Sequence, residues 1–188
     1  MFQIEHSKYL LKQIRNGNQD AFTELIHPLI EKAYKTSFYL LKSKEFAEEV
    51  VQTSMIEAYT NIIEGKNFSN FPAWFNKLVA SRAYDLIRKL TRERKKISDV
   101  EITNIYQSTS AMEHLLDSET KSEISDAVLS LEKEIYRNVI VMFYYQELSV
   151  SEIAEIMDLK KSTVKTHLRR ARESVGKKLK MKKIIEVN

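Results

Sequence analysis

Apolar positions along this chain recur at intervals of three and four, the spacing that lines one face of a helix. A leader segment carries the pattern from the N-terminus to Asn16-Gly17, a turn pair. Asn18 is placed to cap a second helix with Phe22, Leu25, Ile26, Leu29 and Ile30 facing inward. Pro28 inside it predicts a kink or a displaced hydrogen bond. A third helix starts near Ser43 and turns Ala47, Val50, Val51, Ala58 and Ile62 inward, leaving Glu45, Glu48, Glu49 and Gln52 outside, and ends at Gly65. The loop Gly65 to Asn70 precedes the strongest amphipathic pattern in the chain. Phe71, Trp74, Phe75, Leu78, Val79, Leu86, Ile87 and Leu90 share one face, Pro72 is acceptable in the first turn, and Lys77, Arg82, Arg88 and Lys89 stand opposite. By spacing alone, Trp74 and Phe75 read as core.

Between Ile97 and about Ser118 the periodicity weakens while Ser, Thr, Asn and acids accumulate, which reads as a linker with a short helix around Met112 to Leu116. A compact helical segment resumes near Lys121, where one long helix is expected to use Val128, Leu131, Ile135, Val139 and Met142. Two shorter helices follow. Ser149 and Glu152 have capping-box spacing ahead of the apolar stripe Ile153, Ile156, Met157, and small Ala154 allows a close crossing. Asp158 marks the break, as a residue type that tolerates the left-handed conformation. In the last helix Val164, Leu168, Ala171 and Val175 face inward, and Ser162, Lys165, Thr166, Arg169 and Arg170 face out. The tail Lys177 to Asn188 is basic with an apolar end; it reads either as an extension of this helix or as loose chain.

Charge sharpens the picture. The chain of 188 residues carries a net charge of only +4, but unevenly. Lys160 to Lys183 holds eleven Lys or Arg against the single acid Glu173, Arg82 to Lys96 has seven basic and two acidic residues, and Asp99 to Glu134 has nine acidic and two basic. Two basic patches separated by an acidic segment suit two contacts with a polyanion. A helix face made only of donors suits phosphates and the acceptor-rich edges of guanine, whereas a merely solvated face normally mixes signs. Gly 3, Pro 2 and the absence of strand alternation make the chain all-α, one large or two small domains. Cys 0 excludes disulfides and cysteine zinc sites. No apolar run reaches membrane-spanning length and the N-terminus lacks a signal-peptide core, so a cytoplasmic protein without membrane insertion is expected. No Walker loop, nucleophile elbow or metal constellation is present, and His6, His27, His114 and His167 are scattered, so no enzyme activity, cofactor or metal is expected. His167 suits packing or phosphate contact better than metal ligation.

Taken together, these segments resemble a bacterial RNA polymerase sigma factor of the extracytoplasmic-function (ECF) group of the sigma-70 family. NGNQDAFTELIHPLIEKAY resembles the opening of the family's region 2, FAEEVVQTSMIEAY its polymerase-binding helix, and FPAWFNKLVASRAYDLIRK its promoter-melting and minus-10 helix. The stretch from Leu129 to Val175 resembles region 4. The resemblance implies two helical domains joined by a flexible linker: residues 1–96 as region 2, 97–120 as linker, and 121–188 as region 4 with a helix-turn-helix. It implies that Glu48, Glu49 and Gln52 dock on the coiled coil of the polymerase clamp, with the flap as a second contact on the polymerase. It implies that Asn67, Phe68, Ser69 and Asn70 capture a base flipped from the non-template strand at the minus-10 element. Lys77, Ser81, Arg82 and Arg88 would then follow the melted strand. It places Ser162, Thr163, Lys165, Thr166, Arg169 and Arg170 on the minus-35 element, with the first two suited to phosphate. Core RNA polymerase, promoter DNA and an anti-sigma factor are the implied partners. Three positions depart from the family pattern: Ser81 stands where Asn is usual, Asp158 where Gly is usual, and Lys160 where a capping Ser is common. TVKTHL is also similar to the LuxR-type helix-turn-helix of stand-alone regulators. Those often carry an α/β receiver, and no strand alternates with helix here.

Overall fold

The computed structural model describes the backbone of residues 2–96 and 119–186 and the side chains of 5–93 and 123–180. The expected linker core and its helix at Met112 to Leu116 lie outside the described residues. The chain divides into two compact units, Met1–Glu93 and Arg94–Asn188. Among the described residues both are built from helices, with no strand.

The first unit contains α1 (Phe2–Arg15), α2 (Gln19–Leu41), α3 (Lys44–Ile63) and α4 (Phe71–Lys96) up to Glu93. Local signals set the ends. Gly17 takes φ +92° at the first turn. Asn18 then accepts the Ala21 amide at 3.3 Å, and Ser43 accepts that of Phe46 at 3.2 Å, each satisfying a donor the helix start leaves open. Gly65, at φ +83°, closes α3. The second helix runs through Pro28, which is exposed, so the carbonyl deprived of its N–H partner faces water. Helix α2 packs against α1 and α3. Leu10, Leu11 and Ile14 of α1, Leu25, Ile26, Ala33 and Leu40 of α2, and Ala47, Val50, Val51, Ala58 and Ile62 of α3 make the core. The fourth helix adds Phe71, Phe75, Leu78, Val79, Ala80 and Ala83.

The second unit contains α5 (Glu119–Leu129), α6 (Glu134–Ile140), a π-helical turn (Val141–Tyr145), α7 (Val150–Met157) and α8 (Lys161–Glu186). The single long helix expected through Val128 and Met142 is corrected to three pieces. Ser130 turns its hydroxyl back to the Ala127 carbonyl at 3.1 Å as α5 ends, and α6 resumes only after Lys133. The π-turn then widens the ladder, Gln146 N–H reaching the Val141 carbonyl at 3.0 Å. The apolar spacing conceals these breaks because the pieces bury one continuous face: Val128, Leu131, Val139 and Met142 are all buried. Helix α8 packs on α5, α6 and α7 through Val164, Leu168 and Ala171. It continues unbroken through the basic tail to Glu186.

Candidate nucleic-acid interface

The α7–α8 turn is built from its sequence signals. Ser149 Oγ accepts the Glu152 amide at 3.2 Å, and the Ser149 amide donates to Glu152 Oε2 at 2.9 Å, a complete capping box. Ile153, Ala154, Ile156 and Met157 are buried beneath it. Asp158 closes α7 in the left-handed region (φ 52°, ψ 51°), and the Leu159 amide returns to the Ala154 carbonyl at 2.9 Å. Helix α8 begins at Lys161, with the Val164 amide bonded to the Lys160 carbonyl at 3.1 Å. On it Ser162, Lys165, Thr166, Arg169 and Arg170 are exposed and Thr163 is half-buried. Two of these are partly engaged. The Thr166 hydroxyl donates to the Ser162 carbonyl at 2.9 Å, and Arg169 Nη1 meets Glu173 at 2.6 Å. Ser162, Lys165 and Arg170 present hydroxyl, ammonium and guanidinium donors, the groups that meet phosphates and base edges.

In the first unit the loop before α4 is laid over aromatic rings. Phe68 lies 4.6 Å from Trp74 and edge-on to Phe71 at 5.3 Å, and Lys66 Nζ sits 5.0 Å from the Trp74 ring centre. Phe75 is core, as its spacing implied. Trp74 is not: it is half-buried, packed between Phe68 and Lys66, because the loop folds back over the first turn of α4. Asn67 and Ser69 are exposed. Asn70 is exposed too, but its Oδ1 accepts the Ala73 amide at 3.0 Å, making it the cap of α4. Arg15 of α1, which local sequence could not flag, ties the loop down from 51 residues away: Nη2 donates to the Lys66 carbonyl at 2.6 Å and Nε to the Ile62 carbonyl at 3.1 Å.

Along α4, Lys77 and Ser81 are half-buried. Arg82 gives Nε and Nη2 to the two oxygens of Glu57 on α3 at 2.6 and 2.9 Å, and Nη1 to Asp85 at 2.8 Å. This hydrogen bond holds the Glu57 carboxyl below the usual glutamate range despite partial burial. Arg88 reaches Asp85 at 3.4 Å and lies over Tyr84, 4.9 Å from its ring centre.

On α3, Glu48, Glu49 and Gln52 are all exposed. One helical turn beyond Gln52, Ile56 is 68% exposed, an apolar side chain out of phase with the buried stripe. That phase error was the sequence signal for it. Beside this face, burial and then the charges of Glu48 and Glu45 raise the Tyr34 phenol above its ordinary pKa.

Comparison with known proteins agrees with this geometry. The family Sigma-70, region 4 matches residues 123–175. The chain is 30% identical over 180 residues to the ECF RNA polymerase sigma factor SigW of Bacillus subtilis, covering 92% of this chain and 96% of that one. The chain belongs to the ECF sigma factors. An ECF sigma-E factor of Haemophilus influenzae is 26% identical over 179 residues, 90% of this chain and 93% of the relative. The fold matches the Bartonella quintana sigma factor RpoE, solved with the anti-sigma factor NepR. That likeness has a TM-score of 0.60 at 22% identity, over 85% of this chain and 96% of that one. It also matches CnrH, solved with the cytosolic domain of CnrY, at a TM-score of 0.56 and 18% identity, over 94% and 98%. A stand-alone LuxR-type regulator is not favoured by full-length relatives of this kind. Among the described residues no helix is long and apolar enough to cross a membrane, and no group of His, Asp or Glu is arranged to hold a metal ion.

Proposed function

We propose that this sigma factor directs core RNA polymerase to specific promoters and opens them at the minus-10 element. The observation that carries the reading is the predominantly basic outer face of α8 on its capped turn, in a chain of sigma-factor ancestry along nearly its whole length. Residues 121–188 act as region 4. Lys165, Thr166, Arg169 and Arg170 read the minus-35 element there, while Ser162 and Thr163 hold phosphate. Residues 1–96 act as region 2, with 97–120 as the linker. Glu48, Glu49 and Gln52, extended by exposed Ile56, dock on the basic coiled coil of the clamp, and the flap makes a second contact. Asn67, Phe68 and Ser69 receive a base drawn out of the minus-10 duplex. Asn70 supports them as the helix cap, and the platform of Trp74 beneath Phe68 supplies stacking surface. Flipping a base costs a few kcal/mol, so stacking and hydrogen bonds to the extruded base drive melting without nucleotide hydrolysis. Lys77, Ser81 and Arg88 follow the strand. Arg82, given over to Glu57, acts by holding α3 and α4 in register. An anti-sigma factor regulates the chain by covering these faces, as NepR accompanies the sigma factor RpoE of the same fold.

Run-off transcription with bacterial core polymerase on a pool of promoter fragments tests the reading. Initiation at discrete sites only when the protein is added is the expected result. No stimulation, together with tight duplex binding by the protein alone, overturns it.

A further inference from the structure

One cluster of polar side chains in the second unit lies partly outside the surfaces assigned above. Lys133, the residue ahead of α6, holds its ammonium 5.5 Å from the centre of the Tyr136 ring. Tyr136 tilts against His167 of α8, ring centres 5.9 Å apart. His167 is half-buried, and its Nδ1 is buried without a hydrogen-bond partner. Burial holds the imidazole below the usual histidine pKa, and the charges of Arg170 and Lys133 add to the effect. Donors from two separate elements thus converge around one aromatic ring. Of the carboxylates on these elements, Glu134 meets Arg137 at 3.2 Å and Glu173 meets Arg169, while Glu132, next to Lys133, is exposed to water. A neutral imidazole with one buried, unpartnered nitrogen carries its proton on the other, because a buried acceptor without a partner is tolerated better than a buried donor. With Nδ1 buried, Nε2 is the nitrogen through which His167 can donate.

We propose that Lys133 and His167 form a seat, walled by Tyr136, for one phosphate of the promoter backbone. The proposal rests on the reading of α8 as the minus-35 helix and extends the DNA footprint beyond the helix-turn-helix, to the residue ahead of α6. The occupant is a DNA phosphate because His167 stands on the helix that also carries Lys165 and Thr166, so a duplex read by those residues brings its backbone to the flank of α8. A contact of this kind fixes the depth and angle of the helix without reading sequence.

The test uses the full chain assembled with core polymerase, binding promoter fragments across a salt series, with intact and altered minus-35 elements. K133A is expected to lower the slope of log affinity against log salt by about 0.9, the signature of one lost phosphate contact. Its loss of affinity should be the same factor on both fragments. H167A should weaken binding about three- to tenfold, the range of a single hydrogen bond, and H167Q, whose amide can stand in for Nε2–H, should restore most of it. A K133A holoenzyme with the wild-type slope, or a loss confined to one minus-35 sequence, overturns the seat while leaving the sigma reading intact. Wild-type holoenzyme that ignores promoter fragments altogether overturns the sigma reading itself.

Discussion

Arg82 reaches from α4 to α3 and spends three of its donors inside the protein, on both oxygens of Glu57 and one of Asp85. Bidentate geometry makes this the strongest kind of ion pair, but the side chains keep 37% and 31% of their surface in water, so it stabilises by on the order of 1 kcal/mol. Glu57→Gln is expected to destabilise by about that amount at pH 7 in urea unfolding. The pH dependence has a fixed sign. Arg82 lowers the folded carboxyl below its unfolded value of about 4.3. The pair's contribution is therefore full above that value and is lost as pH falls through the folded one. The gap between wild type and E57Q should be constant from pH 7 to 5 and close in stronger acid; a gap that persists there would refute the assignment. Nothing in the sequence announced this contact, because Glu57 and Arg82 are 25 positions apart on helices whose relative rotation depends on packing. Asp158, by contrast, was legible: a short polar residue at a break in two helical patterns has few other uses. Asp158→Gly should raise the melting temperature, since glycine occupies φ 52° without the Cβ penalty of about 1 kcal/mol.

At the scale of elements, what was legible was what is local. Asn18 and Ser149 cap the helices their spacing assigned to them, and Ser43 caps the helix expected to start near it, because a cap is decided within four residues. Ser149→Ala should cost about 1 kcal/mol and weaken minus-35 binding on all sequences alike, since it loosens the seat of α8 and removes no base contact. The break between α5 and α6 was not legible. Its apolar residues continue the helical phase across Ser130 to Lys133, and periodicity cannot see a turn that keeps the same face buried. Trp74 was misread for a related reason. Its position fits the buried stripe, yet the Gly65–Asn70 loop returns over it and brings Phe68 and Lys66 to its ring. That return is anchored by Arg15. Arg15→Ala is expected to reduce opening of the minus-10 element, followed by 2-aminopurine fluorescence in the non-template strand, while binding to core polymerase is unchanged.

For the molecule as a whole, charge is partitioned by surface. Exposed carboxylates sit on α3 with Glu48 and Glu49, and exposed cations on α8. Opposite signs on the two faces let one chain approach a basic protein surface and a polyanion without the two attractions competing. Reversing Glu48 and Glu49 to Lys should slow association with core polymerase by on the order of tenfold at low salt, with the difference closing as salt rises. Stopped-flow association across a salt series would show it. The all-helical class and the helix-turn-helix were readable because both rest on periodicity and charge, which are properties of the chain itself.

The continuity of α8 has a consequence of its own. The 26 residues from Lys161 to Glu186 form a bar about 39 Å long. Lys177, Lys178 and Lys180 therefore point at a set angle from Lys165 and Arg169, and whatever grips the far end turns the near end with it. Removing one residue between Val175 and Lys177 would swing the far lysines by about 100° and draw them in by about 1.5 Å. Adding seven there would lengthen the bar yet return them to within about 20° of their original bearing. A partner that holds both ends would thus respond to such changes as a wave rather than as a ramp.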